Sequence, residues 1–252
     1  MFRLHTASLS ATLLALFTTL AFAGQTVTFQ YGLNGYTGVV DNHLSYGLPN
    51  TPNTDGPILW VDAITTSDNQ GSHSLLRFDN IIGTGSGQIP ANATVTSATL
   101  QLYTPTTDNA PGAGGQLHRM LKNWTDTDTW NSLVNGIQAD GIESEVGYNA
   151  QVGTGASSNV YGYINVNVLT DVQAWVNGTS NFGWGLIPWV NGSNGWGFYS
   201  DSYTDLTLSE KLTVTFTAVP EPATPLLVVV GLSGLICRRT AKRRSNETTT
   251  RE

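Results

Sequence analysis

Apolar and polar residues alternate over short runs through most of the chain, the two-residue period of half-buried strands. Val27, Phe29 and Tyr31 share one face of a first strand. Residues 95–103 are rich in β-formers, and residues 212–216 alternate apolar side chains with threonine, as a closing strand does. Further strands are predicted over 58–61, 74–79, 116–121, 162–166, 183–187 and 196–200. Clusters of Gly, Pro, Asn and Asp at 48–57, 83–92, 104–115 and 190–195 separate them. This spacing predicts an all-β chain, a jelly-roll-like antiparallel β-sandwich, and excludes alternating βαβ units. One segment departs from it. Val168, Val172, Trp175 and Val176 fall at i, i+4, i+7 and i+8, which predicts a helix of roughly three turns. Asn167 is placed to cap its start and Gly178 to end it, with Trp175 turned inward to close one mouth of the sandwich.

The two ends follow another pattern. An apolar run over 7–23, preceded by Arg3 and closing on Ala21-Phe22-Ala23, predicts a signal peptide cleaved after residue 23. Residues 223–237 are uncharged and are followed by Arg238, Arg239, Lys242, Arg243 and Arg244. That run is shorter than the roughly 20 residues of a comfortable membrane span. The basic cluster would hold its end on the cytoplasmic side. Val219-Pro220-Glu221-Pro222, the apolar run and Arg238-Arg239, in that order, resemble the PEP-CTERM sorting signal. The resemblance implies processing by an exosortase, an inner-membrane cysteine transpeptidase, with residues 223–237 touching the inner membrane only in transit. Its implied destination is the cell surface, the outer membrane or the extracellular matrix; a plain membrane anchor is the alternative. Residues 245–252 read as a disordered polar tail, and residues 24–218 as one domain.

Charge sharpens the picture. Residues 24–218 hold four basic side chains, Arg77, Arg119, Lys122 and Lys211, against fifteen acidic ones, a balance that the whole-chain net charge of −7 conceals. An acidic surface of this kind repels nucleic acid and anionic membranes and suits divalent cations. The single cysteine, Cys237, lies in the sorting tail, so no disulfide framework is expected.

Several segments in order resemble the DNRLRE-type domain, an all-β module grouped with carbohydrate-binding modules of the alginate-related kind. They are Leu75-Leu76-Arg77-Phe78-Asp79, residues 89–103, Trp124-Thr125-Asp126, Thr129-Trp130-Asn131, residues 167–178 and residues 212–216. Together they span most of residues 35–216. The chain departs from the family pattern twice. It reads Ser200-Asp201-Ser202 where relatives often have Ser-Arg-Glu, and Ser209-Glu210-Lys211-Leu212 where they have Arg-Pro-Lys-Leu. The lost arginines put in doubt any salt bridge or anionic-ligand contact they make in relatives.

Sugars are held by aromatic faces stacked on pyranose rings and by short polar side chains that bond the hydroxyls. Trp60, Trp124, Trp130, Trp175 and Trp184 lie in strand or family patterns and are expected in the core. Trp189 and Trp196 bracket a turn-rich loop containing Asn191 and Asn194, so these four are the expected carbohydrate contacts, together with Arg77. Arg77 and Asp79 share a strand face, as a structural ion pair or a contact to an acidic sugar. Calcium is the expected structural ion, with Asp41, Asp126, Asp128, Asp201 and Asp205 as candidate oxygen donors, although none has EF-hand spacing. His43, His73 and His118 lie in no nucleophile or metal motif, and no Gly-x-Ser-x-Gly elbow occurs. The expectation is a non-catalytic exported protein that binds extracellular polysaccharide. A structural surface protein without glycan specificity and a polysaccharide lyase or hydrolase are the alternatives.

Overall fold

The structure, a computed structural model, describes residues 24–52, 56–65, 71–190 and 194–218. The segment expected as a signal peptide, the expected sorting motif from Val219 to Arg239, and Asn191 lie outside them. The described residues form β1 (Gln25–Phe29), β2 (Val39–Ser45), β3 (Ile58–Val61), β4 (Ser72–Phe78), β5 (Thr94–Thr104), β6 (Gly115–Arg119), β7 (Ala150–Val152) and β8 (Gly162–Asn167). Then follow α1 (Leu169–Val176), β9 (Trp184–Pro188), β10 (Trp196–Tyr199) and β11 (Lys211–Thr217). All paired strands are antiparallel. A four-stranded sheet, β1-β11-β5-β8, faces a five-stranded sheet, β2-β4-β9-β6-β7. The two-stranded ribbon β3-β10 runs beside them, β10 against β5 and β3 against β4. The result is the antiparallel β-sandwich with one short helix that the alternation predicts.

The four-stranded sheet keeps the simplest pattern. In β11, Leu212, Val214 and Phe216 are buried while Thr213 and Thr215 face outward. Thr26 and Thr215 meet across strands at 2.9 Å and Thr28 and Thr213 at 3.3 Å, so the outer face is a ladder of hydroxyls. The five-stranded sheet is covered on both sides. Its inner face joins the main core around Phe78, Trp184 and Leu186. Its outer face is roofed by a second cluster in which Leu44 and Leu75 pack with Trp124 and Trp130.

The helix is shorter than its predicted three turns, eight residues from Leu169 to Val176. Asn167 accepts the Leu169 N–H at 3.0 Å, although the capping backbone position itself is Val168. At the other end Gly178 (φ 101°) donates to Trp175 and Thr179 donates to Ala174, the paired bonds of a Schellman stop. So short a helix does not persist alone. Burial of Val172, Trp175 and Val176 holds it, each large apolar side chain contributing roughly 1.5–3 kcal/mol.

Two strands have no forerunner in the alternation. In β2 the polar Asp41 and Asn42 are both buried, which erases the period-two pattern. β7 is three residues long.

Candidate functional site

The ribbon builds a cleft of about 590 Å³ beside the sandwich. Trp60 and Ile58 come from β3, Tyr199 from β10, Tyr203 from the turn after it, Asp108 from the loop after β5 and His43 from β2. Trp60 pairs across the ribbon with Gly197, and a Cβ there would meet the Trp60 ring at 3.1 Å and the Ile58 methyl at 2.7 Å. Glycine at 197 therefore lets the indole lie along the neighbouring strand. Ser200 extends the pairing of the ribbon beyond Ile58, its hydroxyl donating to the Gly56 carbonyl at 2.8 Å and its N–H to the Pro57 carbonyl at 3.1 Å. Tyr203 stacks on Tyr199, ring centroids 3.5 Å apart and planes within 6°. Tyr103 stacks on the other side of Tyr199 at 5.8 Å, and exposed Tyr163 meets Tyr103 edge-on at 4.8 Å.

The cleft holds few charges. Burial lowers the His43 imidazole to about 4, so the ring is neutral in neutral solution. The Tyr199 phenol is pushed up to about 12, first by its hydrogen bond with Tyr203 and then by burial and the nearby Tyr203 and Asp108. Asp108 sits in the left-handed region (φ 59°), which aspartate tolerates, and accepts the Thr107 hydroxyl at 2.9 Å. The arrangement is an open trough with aromatic walls, a neutral imidazole and one carboxylate.

A second polar group lies close by in sequence. Asp41, two residues before His43, accepts the N–H of Asp201 at 3.3 Å, and Asp201 is two residues after Tyr199. Glu210, just before β11, is fully buried and contacts the Asp41 carboxyl. Among the described residues no side-chain donor reaches either Glu210 oxygen, so a hydrogen bond between the two carboxyls needs a proton on one of them. Burial, then the Asp41 charge, raises Glu210 well above the carboxylate range, so we place the proton there. Burial also raises Asp41, and burial with the Asp41 charge raises Asp201 to about 6.

The structure redistributes the expected site residues. Trp196 is fully buried, and its indole N–H donates to the Thr104 hydroxyl at 2.7 Å, so it offers no face to a sugar. The expected Trp189–Trp196 platform does not form, because alternation along β10 turns Trp196 into the core. Trp189 is half-buried, donating to the Val152 carbonyl at 3.1 Å with Tyr148 against its edge. Asn194 is exposed and its carbonyl accepts from Ala113. Trp124, Trp130, Trp175 and Trp184 are core residues as expected, whereas Trp60 is half-buried and lines the cleft.

Of the five candidate calcium donors, Asp41 and Asp201 meet and the Asp126 charge acts on Asp41, whereas Asp128 and Asp205 bond within loops of their own. Asp128 accepts from Thr125 and Ser132 within its own loop, Asp205 caps the turn at Leu206–Leu208, and Asp126 is exposed. Among the described residues no group of three His, Cys, Asp or Glu side chains is placed to hold a metal ion. Direct contact between Asp41 and Glu210 suits a shared proton, and this donor set does not fit calcium.

Arg77 is consumed by structure. Its guanidinium pairs with Asp79 at 2.6 and 3.1 Å, donates to the Trp124 carbonyl at 2.9 Å and lies 4.7 Å over the Trp124 ring. The ion-pair reading holds, and the guanidinium has no free edge for an acidic sugar. Lysine cannot reproduce a forked pair together with stacking. Arg77→Lys is therefore expected to cost about 1–2 kcal/mol in urea unfolding.

Little in the sequence marked the cleft. The spacing of Tyr199 and Tyr203 was its one local signal, and nothing in the chain tied that pair to Trp60. No protein-family model matches the chain, and no curated protein matches it.

Proposed function

We propose that this is an exported, non-catalytic cell-surface or matrix protein whose β-sandwich binds extracellular polysaccharide through the Trp60–Tyr199–Tyr203 cleft. The observation that carries the reading is the cleft itself, with aromatic walls on two sides and hydroxyl, imidazole and carboxylate groups between them. Apolar ring faces and a few convergent polar groups are what sugar recognition requires. The signal-like N-terminus and the Pro-Glu-Pro tail support export and exosortase processing, which would place the domain among exopolysaccharides. The acidic surface supports a partner other than nucleic acid.

Affinity electrophoresis of the full-length protein through gels containing polysaccharide tests the reading. Trp60→Ala and Tyr203→Ala are each expected to weaken retardation about tenfold, which corresponds to roughly 1.4 kcal/mol, with thermal unfolding of Tyr203→Ala near that of the parent. Equal retardation of parent and both variants would contradict the assignment.

A further inference from the structure

The charges around the cleft say which sugars it admits. Among the described residues Asp108 is the one charged side chain in its lining, His43 is neutral there, and no arginine or lysine lines it. The four basic residues in the described part of the chain are all placed elsewhere. Arg77 pairs with Asp79, Arg119 with Glu145 and Lys122 with Glu143. Lys211 stands opposite Gln101 on the four-stranded sheet. More negative charge lies close in sequence, in Asp41 and Asp201.

We propose that the cleft is specific for uncharged hexose polymers and excludes uronate- or sulfate-bearing ones; this rests on the cleft reading above. The ring of a neutral pyranose stacks on Trp60 or Tyr203, and the Asp108 carboxylate accepts from two neighbouring hydroxyls. A carboxylate accepts at both oxygens, which matches a vicinal diol as it matches other forked donors. A uronate in the same position would bring a second carboxylate against Asp108 with no cation to offset it. Like charges brought together at a partly desolvated contact are strongly unfavourable, and this is how interfaces reject wrong partners. Exclusion here is a matter of sign, so it survives changes in the detailed sugar pose.

The aromatic row favours a polymer over a single sugar. From Tyr203 it continues through Tyr199 and Tyr103 to Tyr163, with centroid steps of 3.5, 5.8 and 4.8 Å. Tyr163 is 59% exposed, and beside it run the neutral side chains Gln101 and Asn165, hydrogen-bonded to each other at 2.9 Å. A chain leaving the cleft along this row would meet rings, amides and hydroxyls, with Lys211 opposite Gln101 as the one cation beside it among the described residues.

The test is affinity electrophoresis of the full-length protein against soluble neutral glucans, mannans and galactans and against polygalacturonate and alginate, at low and high salt. Expected is retardation by at least one neutral polymer, at least tenfold stronger than by either uronan at low salt. Asp108→Asn, which tolerates the same backbone conformation, should weaken the neutral interaction severalfold and narrow the gap to the uronans. Uronan binding as tight as neutral binding and abolished by Trp60→Ala would overturn the charge rule while leaving the cleft in place. Absence of binding to every polymer, or binding indifferent to Trp60→Ala and Tyr203→Ala, would overturn both.

Discussion

Replacing Trp196 with alanine is expected to lower the unfolding free energy by about 3–5 kcal/mol, the range for truncating a large buried aromatic. The indole is fully buried, packs on Phe198 at 5.0 Å and supplies the N–H that Thr104 accepts at 2.7 Å. Truncation leaves a cavity and also strands the buried Thr104 hydroxyl. Urea unfolding followed by fluorescence measures the loss. Trp196→Phe helps to separate the two contributions, because it removes the hydrogen bond and keeps much of the buried volume. The folded fraction of either variant should bind polysaccharide as the parent does. A variant with parental stability and lost binding would restore Trp196 to the surface.

Glu210→Gln should stabilise the protein, by about 1–3 kcal/mol near pH 8, the scale of an unsatisfied buried polar group. Glutamine offers Asp41 permanently the donor that glutamate offers only when protonated. The pH dependence follows from the direction of each shift. Glu210, Asp41 and Asp201 have folded-state pKa values raised above those of the unfolded chain. Their contribution is therefore complete below the ordinary carboxylate range and is lost as pH rises, through about 6 for Asp201 and well above the ordinary carboxylate range for Glu210. The histidines act in the opposite sense. Burial depresses His43 to about 4 and His73 to about 3, so their contribution is complete above 6.5 and is lost as pH falls. His73 shows the reason in its geometry, since its Nδ1 accepts the Ile137 N–H at 3.0 Å and so carries no proton. The parent should thus show a domed stability profile, and Glu210→Gln should flatten its alkaline side while leaving the acid side unchanged. Thermal unfolding across pH 3–9 reads both limbs. An unaltered alkaline limb in the variant would mean that Glu210 does not hold the proton.

The sandwich was legible where one face meets water. β5 and β11 alternate cleanly, and alternation with turn chemistry marks nine strand segments, all but β2 and β7. β2 was hidden because burial of Asp41 and Asn42 breaks the pattern that a strand is recognised by. Local rules fail most often at functional or strained positions, and β2 is the strand that supplies both His43 to the cleft and Asp41 to the carboxyl cluster. Segments 200–202 and 209–212 are legible in the sequence only as differences from the DNRLRE-type pattern that the chain resembles. That they meet, with Asp201 and Glu210 both against Asp41, follows only from the fold. The tryptophan platform failed for a related reason. A turn-rich loop between Trp189 and Trp196 suggests exposure, but a shift of one residue along a strand exchanges core for surface. The cleft joins residues from β2, β3 and β10 and from loops more than forty positions apart, so no local window could contain it.

The most direct test of the central claim is where bound polysaccharide protects the full-length protein. Hydroxyl-radical footprinting with and without a retarding polymer resolves this at single side chains. The account predicts protection of Trp60, Tyr203 and the outward tyrosines Tyr103 and Tyr163, with Trp189 and Tyr148 unchanged. Protection confined to Trp189 and Tyr148, with Trp60 and Tyr203 as reactive as in the free protein, would contradict it.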